Sequence, residues 1–506
     1  MSVFPRTLRL AVLGACGLGL VLGLASCGSE ADNKGSFRMI QASPDLAPVN
    51  FLVDGVALRS AIEYKGGPGF LSVTPKTYTF AVEAILPDEN GLPVTEPVIE
   101  PVAQAIAEGR EYTLITLGKA SVADAAPNDT DALRPLVIEN LIEDVPAGNA
   151  RLQLVHAAPD VPAVVDIYLT AVPVAPGVLP DLSTQTPIAQ VTYGAQPAPR
   201  QLVQTGTYII RITLPGSTVP VFQSNNIGLN NGNDLLIVAV DNNLVGPAPI
   251  SLSISSGFRG FFTPVGTAEL LDKDTLTNLR VVQVSPDAPT MNILGTRPQE
   301  PAIPPSTVLP PLREVTFATA LNYLDFTGYV STFPDTYSLR GVRTADPTAT
   351  TPLFTVFPNP TPLALGQRAT LFVIGLALTT PSTFDPLVLP DEIRSVFGEG
   401  KLRIVDASLA AGVVDVYILK AGTSIADVSP TLQNLSSRLA TPYLPLFPQD
   451  YRVTFTTAGT KTVLAAVDIA ATSGTVQTAI LVDAPRPDAT SDGKPPAVLL
   501  LNDLAS

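Results

Sequence analysis

The feature that most constrains the fold of this chain is a domain-sized sequence unit that occurs four times. Each copy opens with two apolar segments joined by a short turn. The openings are "FRMIQASPDLAPVNFLVDG" from Phe37, "LQLVHAAPDVPAVVDIYLTA" from Leu152, "LRVVQVSPDAPTMNILG" from Leu279 and "LRIVDASLAAGVVDVYIL" from Leu402. Solenoid repeats are only about 20 to 50 residues long, so these longer units are read as domains. We therefore expect four tandem domains, over 37–149, 150–278, 279–400 and 401–506 of the 506-residue chain.

Each copy is expected to be a β-sandwich. It contains about seven short apolar segments separated by turn residues, which is typical of a sandwich. The chain also holds 50 prolines, and proline is excluded from helix interiors and from central strands. The sequence thus predicts an all-β protein made of four tandem immunoglobulin-like β-sandwich domains, of which the fourth is the most divergent.

Three kinds of residue recur at matching places in the copies. An aspartate lies in the first turn of three copies, at Asp45, Asp160 and Asp287, whereas the fourth copy has Ala410 there. A first tyrosine follows each opening, at Tyr64, Tyr193, Tyr323 and Tyr443. A second tyrosine begins a later strand, at Tyr78, Tyr208, Tyr337 and Tyr451. A glycine then precedes a strongly apolar strand, at Gly109, Gly232, Gly366 and Gly474.

The turn aspartates have two interpretations. An Asp in a turn commonly caps backbone amides, and we favour this structural role. Alternatively, the turn aspartates bind calcium together with Asp54, Asp166 or Asp415. A calcium site needs about six to eight oxygen ligands, and the sequence has no Asp-rich loop that would supply them.

The recurring tyrosines also have two interpretations. A tyrosine that enters a strand after a turn can bury its ring and donate its hydroxyl to a backbone carbonyl. Exposed rings could instead stack on sugars. Recurrence in all four copies favours the structural role, and the chain lacks tryptophan, the larger aromatic platform.

The chain offers little for catalysis. His156 is the only histidine, and the sequence has neither a nucleophile elbow nor a phosphate-binding glycine loop. His156 lies at a strand end where the other copies have Gln41, Gln283 and Asp406, so we interpret it as a structural residue. We predict no catalytic residue, no metal site and no dissociable cofactor.

A separate signal lies at the N-terminus. Arg6 and Arg9 precede an apolar run, Leu10–Leu24, which is shorter than the roughly 20 residues of a membrane-spanning helix. The run ends in "LASC" and resembles the lipobox of bacterial lipoproteins. This resemblance implies a covalent lipid on Cys27.

The same resemblance divides the N-terminal region. It implies a signal peptide over 1–26 and a lipidated tether over 27–36. The other cysteine, Cys16, would be removed with the signal peptide. In Gram-negative lipoproteins an Asp after the lipidated cysteine favours the inner membrane, so Gly28 points to the outer membrane.

The repeated openings also resemble a known family. The "ASPD" turn and the tyrosine-led strands are similar to the domain of unknown function 4397, which occurs in exported bacterial proteins, often in tandem. The resemblance covers nearly all of the chain after the tether and is weakest in the fourth copy. It implies a β-sandwich fold and an exported location, and it brings no catalytic residues.

These observations predict a lipid-anchored cell-envelope protein that displays its domains for binding or structural roles. Its partners would be the membrane, through the lipid, and a protein or glycan of the envelope. A net charge of −15 argues against nucleic acid as a partner. Two alternatives stay open: a glycan-acting hydrolase with a pair of acids, and a subunit of a surface or secretion assembly.

Overall fold

The structure, a computed structural model, describes residues 34–122, 131–172, 179–256, 267–298, 313–348, 351–377, 379, 382–485 and 495–504. The regular secondary structure of these residues is almost entirely β-strand, with one turn of 3-10 helix at Leu182–Thr184. No helix in these ranges is long and apolar enough to span a membrane. The proposed signal peptide, Cys27 and most of the tether lie outside the described residues.

The strands group into four domains. The first contains β1 Gly35–Gln41, β2 Val49–Val53, β3 Val56–Ile62, β4 Leu71–Val73, β5 Lys76–Pro87, β6 Pro93–Ile106, β7 Arg110–Leu117 and β8 Arg134–Leu141. The second contains β9 Asn149–His156, β10 Val164–Ala171, β11 Ala189–Thr192, β12 Gln201–Gln204, β13 Gly206–Thr213, β14 Pro220–Gln223, β15 Ile227–Leu229, β16 Asp234–Asp241, β17 Ile250–Ser256 and β18 Thr267–Leu270.

The third and fourth domains follow the same order. The third contains β19 Thr277–Gln283, β20 Met291–Thr296, β21 Glu314–Leu321, β22 Val330–Thr332, β23 Asp335–Arg343, β24 Phe354–Thr355, β25 Thr361–Leu363, β26 Arg368–Val373 and β27 Leu387–Pro390. The fourth contains β28 Gly400–Asp406, β29 Val414–Lys420, β30 Leu432–Leu435, β31 Leu444–Leu446, β32 Gln449–Thr457, β33 Val463–Ala471, β34 Val476–Val482 and β35 Ala497–Asn502.

One strand plan is repeated in every domain. In the first domain the two sheets have the orders β4-β1-β7-β8 and β3-β2-β5-β6, and the other three domains repeat both orders with their own strands. The opening strand of each domain (β1, β9, β19, β28) pairs in parallel with a later strand, its parallel partner (β7, β16, β26, β34). The prediction of an all-β chain of sandwich domains is confirmed.

The immunoglobulin-like part of that prediction is not confirmed. An immunoglobulin sandwich places strands A, B, E and D in one sheet and C, F and G in the other. Here the first and second strands of each domain lie in different sheets, and eight strand positions replace seven. The turn after the opening strand is therefore a crossing between sheets and not a hairpin within one sheet.

The sheets of neighbouring domains stack face to face. We call the sheet with the opening strand the inner sheet, and the other the outer sheet. Ile40 and Ile115 of the first domain share an apolar cluster with Val155 and Val238 of the second. The neighbouring residue Met39 points the other way, into the core of the first sandwich. The two inner sheets are thus buried on both faces, which explains why their strands are continuous apolar runs.

The third and fourth domains pack in the same manner. Val282 and Phe372 of the third share a second interdomain cluster with Val405 and Ile480 of the fourth. The chain therefore forms two face-packed pairs of sandwiches, domains one with two and domains three with four.

Further contacts join the two pairs. The segment between the third and fourth domains crosses the first domain, where Val396 enters the core. Arg394 donates there to the carbonyls of Pro44, at 3.2 Å, and Leu46, at 2.9 Å. Between the second and third domains, the Arg368 guanidinium donates to the carbonyl of Asn243 at 2.7 Å.

Candidate functional site

The turn aspartates of the odd-numbered domains cap a distant loop. Asp45 accepts hydrogen bonds from the amides of Ala120 and Ser121, at 2.7 and 3.0 Å, in the loop after β7. Asp287 accepts from the amide of Ala377, at 2.7 Å, in the loop after β26. Both carboxylates therefore cap backbone amides, although these belong to another loop and not to the turn that carries the aspartate.

The even-numbered domains use a different aspartate. In the fourth domain Asp483, at the end of β34, accepts from the amides of Leu409 and Ala410 in the first turn. In the second domain Asp241, at the end of β16, accepts from the amide of Asp160 at 3.2 Å. In these domains the capping aspartate thus lies at the end of the parallel partner strand and binds the first turn. The fourth copy therefore needs no aspartate at position 410. The Asp160 side chain pairs with Lys119 of the first domain.

His156 belongs to a position with one structural role. The side chains of Gln41, His156, Gln283 and Asp406 each accept the backbone amide two residues ahead, at 2.7, 3.3, 2.7 and 3.0 Å. Burial lowers the pKa of His156 and raises the pKa of Asp406 to about 7. Both shifts favour the neutral form of a buried hydrogen-bonding group at this position.

The second set of tyrosines supports strand entry. Each hydroxyl donates to the carbonyl four residues before it, from Tyr78 at 2.9 Å, Tyr208 at 2.9 Å, Tyr337 at 2.8 Å and Tyr451 at 3.1 Å. All of these rings are buried except that of Tyr208, which is half-buried. Their hydroxyl bonds are those that the structural interpretation predicts, and the buried rings present no face for a sugar.

The first set of tyrosines does not form one class, and its alignment in the fourth copy was wrong. The hydroxyls of Tyr64 and Tyr323 donate across the pair interface, to the carbonyls of Asp241 and Asp483 respectively. Tyr193 lies against Arg134 of the first domain.

Tyr443 occupies another position. The residue after Tyr64 and the residue after Tyr323 have positive φ and donate their amides to the end of the opening strand. In the fourth domain Arg438 has this role, so Ser437 matches Tyr64 and Tyr323. Tyr443 is instead equivalent to Tyr329. The two segments were misaligned because each places a tyrosine in a similar local sequence.

The recurring glycines are required by the backbone. Gly109, Gly232, Gly366 and Gly474 all have positive φ, between 68° and 82°, in the turn before the parallel partner strand. This region disfavours residues that carry a Cβ atom. At Gly366 and Gly474 a Cβ would also meet Leu244 and Ser395 of neighbouring segments, at 2.9 and 2.6 Å.

A buried ion network that the sequence analysis missed joins the third and fourth domains. Arg280 of the third domain pairs with Asp503 of the fourth, and Arg403 of the fourth pairs with Asp391 of the third, both at 2.7 Å. The two arginine side chains are 2% exposed and the two aspartate side chains are fully buried. The pairs are related by the approximate two-fold symmetry of the interface.

Hydroxyl groups complete this network. Thr370 donates to Asp391 and Thr478 donates to Asp503, both at 2.6 Å. Tyr329 and Tyr443 donate to the same two carboxylates, at 2.8 and 2.9 Å. Burial raises the pKa of both tyrosines, so their hydroxyls stay protonated and act as donors. An arginine within the apolar openings of three copies was the available signal for these buried pairs.

A different network joins the first and second domains. Arg200 of the second domain pairs with Glu111 of the first at 3.0 Å, next to an ion pair within the second domain, Arg151 with Asp234 at 2.6 Å. Arg38, which matches Arg280, donates to the Ser256 carbonyl at 2.9 Å. Both pair interfaces therefore combine an apolar cluster with buried arginine contacts.

A cavity of about 600 Å³ lies where all four domains meet. Its wall includes Glu63, Arg368, Arg394, Glu399 and Lys401. Burial lowers the pKa values of Arg394 and Lys401 and raises that of Glu399. The cavity thus presents desolvated charges of both signs, an arrangement suited to a small polar ligand or to a structural junction.

The described residues do not bring the predicted site residues into one place. The recurring aspartates, tyrosines and glycines are distributed over four domains, and each has a local structural role. The described ranges contain no group of three or more His, Cys, Asp or Glu side chains that could hold a metal ion.

Comparisons with known proteins identify a family of unknown function. The profile of a domain of unknown function, DUF4397, matches residues 35–168 and 277–417. No curated protein matches the chain. Among solved structures, the Bacillus anthracis TIE protein aligns at 11% identity, over 89% of this chain and 68% of that chain, with a TM-score of 0.14. A TM-score this low carries no argument about the fold.

Proposed function

Since the chain belongs to the DUF4397 family, we propose that it is a lipid-anchored protein of the bacterial cell envelope whose four sandwiches act together as one binding or structural platform. The observation that carries this proposal is the face-to-face packing of the inner sheets. It covers the inner sheet of each sandwich and leaves the outer sheets and end loops for a protein or glycan partner.

The anchor is proposed from the sequence. The first described residue, Lys34, precedes β1 and lies seven positions after Cys27. A lipid on Cys27 would therefore hold the first domain close to the bilayer. Stable anchoring requires more than one acyl chain, which a diacylglyceryl group supplies.

A non-enzymatic role is part of the proposal. The groups that catalysis would use most readily, His156 and the buried carboxylates of Asp241 and Asp406, are engaged in capping the turns of their own domains. A hydrolase would need a pair of acids free to face a substrate. The buried arginines and carboxylates at the two interfaces are paired with each other, which favours a structural role for these charged groups as well.

The anchor is tested by fractionation of cells that express the native chain, Cys27→Ala or, as a matched control, Cys16→Ala. We expect the native chain and Cys16→Ala in the membrane fraction and Cys27→Ala in the soluble extracytoplasmic fraction. Membrane retention of Cys27→Ala, or a soluble native chain, would contradict the proposal. Protease treatment of intact cells then shows whether the platform faces the exterior or the periplasm.

A further inference from the structure

Lys65 occupies an unusual place in the first domain. It follows Tyr64 in the turn beside the opening strand, has a φ of 69°, and donates its amide to the carbonyl of Gln41 at 2.8 Å. Its side chain is only 9% exposed, and it leaves the first domain to enter the second. The turn therefore aims a buried amine across the pair interface.

Two side chains of the second domain receive this amine. Lys65 Nζ lies 2.6 Å from Asn243 Oδ1 and 2.5 Å from Glu269 Oε1. The hydroxyl of Ser253 donates to the Lys65 carbonyl at 2.9 Å. The amine, the carboxamide and the carboxylate are thus held together from both sides of the interface.

We propose that Lys65 and Asn243 form an intramolecular isopeptide bond that links the first two domains covalently, with Glu269 relaying the protons. The amine that this reaction needs already contacts both the carboxamide and the carboxylate. A nucleophile beside a general acid–base group is the arrangement that permits such a condensation.

The reaction balances without an added reagent. Glu269 takes a proton from the Lys65 ammonium, and the Nζ electron pair then attacks Cγ of Asn243. The bond between Cγ and the carboxamide nitrogen breaks, and a new bond between Cγ and Nζ replaces it. Protons relayed by Glu269 leave with the expelled nitrogen as ammonium, and no group is oxidised or reduced.

The surroundings favour the reactive form of each group. Burial lowers the pKa of Lys65, and this effect outweighs the opposing influence of the Glu269 carboxylate, so the neutral amine is more accessible than in water. Asn243 lies at the exposed rim of the interface, which gives the departing ammonia a route to solvent.

The second pair of domains lacks these groups. Leu324 takes the place of Lys65 after Tyr323 and has a φ of 68°. Pro485 lies two residues after Asp483, as Asn243 lies two residues after Asp241. The amine and the carboxamide are therefore present together in the first pair and absent together from the second.

Peptide mapping of the purified full chain tests the proposal. We expect a branched peptide in which the segment around Lys65 is joined to the segment around Asn243, with a mass lower than the sum by one ammonia. Trypsin should fail to cleave after Lys65. Lys65→Arg and Asn243→Ala should each abolish the branched peptide, and Glu269→Gln should strongly reduce its yield.

Lys119→Arg is the matched control, because Lys119 also crosses this interface but pairs with Asp160 alone among the described contacts. It should leave the branched peptide unchanged. If the unmodified chain yields separate, full-mass peptides for Lys65 and Asn243 after prolonged incubation, the contact is only an ion pair and the proposal is wrong. This readout needs no variant, so misfolding of a variant does not affect it.

Discussion

At the scale of single residues, three different types of side chain perform the same hydrogen-bonding role at one buried position. Gln41, His156, Gln283 and Asp406 all cap the turn after an opening strand. An amide and a neutral imidazole can do this without burying a charge, whereas a buried carboxylate that has no cationic partner is destabilised when it ionises. The fourth domain should therefore respond to pH at Asp406.

Asp406→Asn should remove this response. The pKa of Asp406 is raised from 3.8 to about 7 in the folded chain, so ionisation favours the unfolded state as the pH rises between these values. Calorimetry at about pH 5 and about pH 8 should show the variant gaining melting temperature over the native chain, with a clearly larger gain at the higher pH. The reciprocal Gln283→Glu should introduce the same decline in the third domain; equal pH dependence of all three proteins would contradict the assignment.

Tyr337→Phe tests the strand-entry tyrosines. The Tyr337 hydroxyl is buried and contacts the Phe333 carbonyl at 2.8 Å and the Thr332 hydroxyl at 2.7 Å. Its loss should destabilise the third domain by about 1 to 2 kcal/mol, because both partners lose a bond. Tyr208→Phe, in the half-buried member of the set, should cost less in the same chemical denaturation. If Tyr208→Phe lost more unfolding free energy than Tyr337→Phe, the hydroxyl hydrogen bonds would not explain why these tyrosines recur.

The structural roles of the recurring residues could largely be predicted, because each role recurs at a fixed place in the repeats. The second tyrosines and the glycines recur at fixed places, and their roles follow from turn geometry. The alignment of Tyr443 failed because a tyrosine six residues away in the equivalent segment, Tyr329, resembles it in its local sequence. No local pattern reveals that Asp45 caps Ala120, since that contact joins two distant loops.

At the scale of elements, the opening strand and its parallel partner form the centre of every domain. A parallel pairing needs the chain to cross between sheets several times before it returns. The glycine turn lies directly before each partner strand, where the chain returns to the inner sheet, and its glycine has a positive φ.

Gly109→Ala isolates the effect of this backbone conformation. An added Cβ at Gly109 would meet no atom within 4 Å, so only the φ of 68° opposes the substitution. The first domain should lose about 1 kcal/mol of unfolding free energy, and Gly109→Asn should lose less, since Asn tolerates this region. Equal stability of Gly109→Ala and the native chain would show that the turn can adopt another conformation.

The sequence predicted these elements better than their connectivity. Short apolar segments and prolines require strands and turns, but the sheet in which each strand lies depends on contacts between distant segments. The immunoglobulin-like order was predicted from the number of apolar segments in each copy, and that number does not show whether the strands on either side of the first turn share a sheet. The structure places the two flanking strands in different sheets.

At the scale of the whole molecule, the repeating unit is a pair of unlike domains. Odd domains carry an aspartate cap in the first turn and a glycine, Gly118 or Gly375, where even domains carry Asp241 or Asp483. Both family matches begin in an odd domain and run into the next even one. Sequence repeats revealed four copies, but the alternation appears only when the interfaces are known.

The buried pairs should make the second interface sensitive to charge. Asp503→Asn leaves the buried Arg280 without its carboxylate partner and should cost about 3 to 5 kcal/mol. Adding Arg280→Met to that variant should recover part of the loss, because it removes the buried charge while the introduced amide still accepts from Thr478 and Tyr443. A double-mutant cycle measured by denaturation separates the two cases. Additive losses would mean that the pair makes no net interaction.

The inner sheets of paired domains stabilise each other, and hydrogen exchange of the full chain carrying Ile115→Ala measures this dependence. Ile115 is fully buried in the cluster between the first and second domains. We predict faster exchange in Asp234–Asp241 of the second domain and unchanged exchange in Arg368–Val373 of the third. Unchanged exchange in Asp234–Asp241, together with faster exchange confined to the first domain, would show four independent domains and contradict the account.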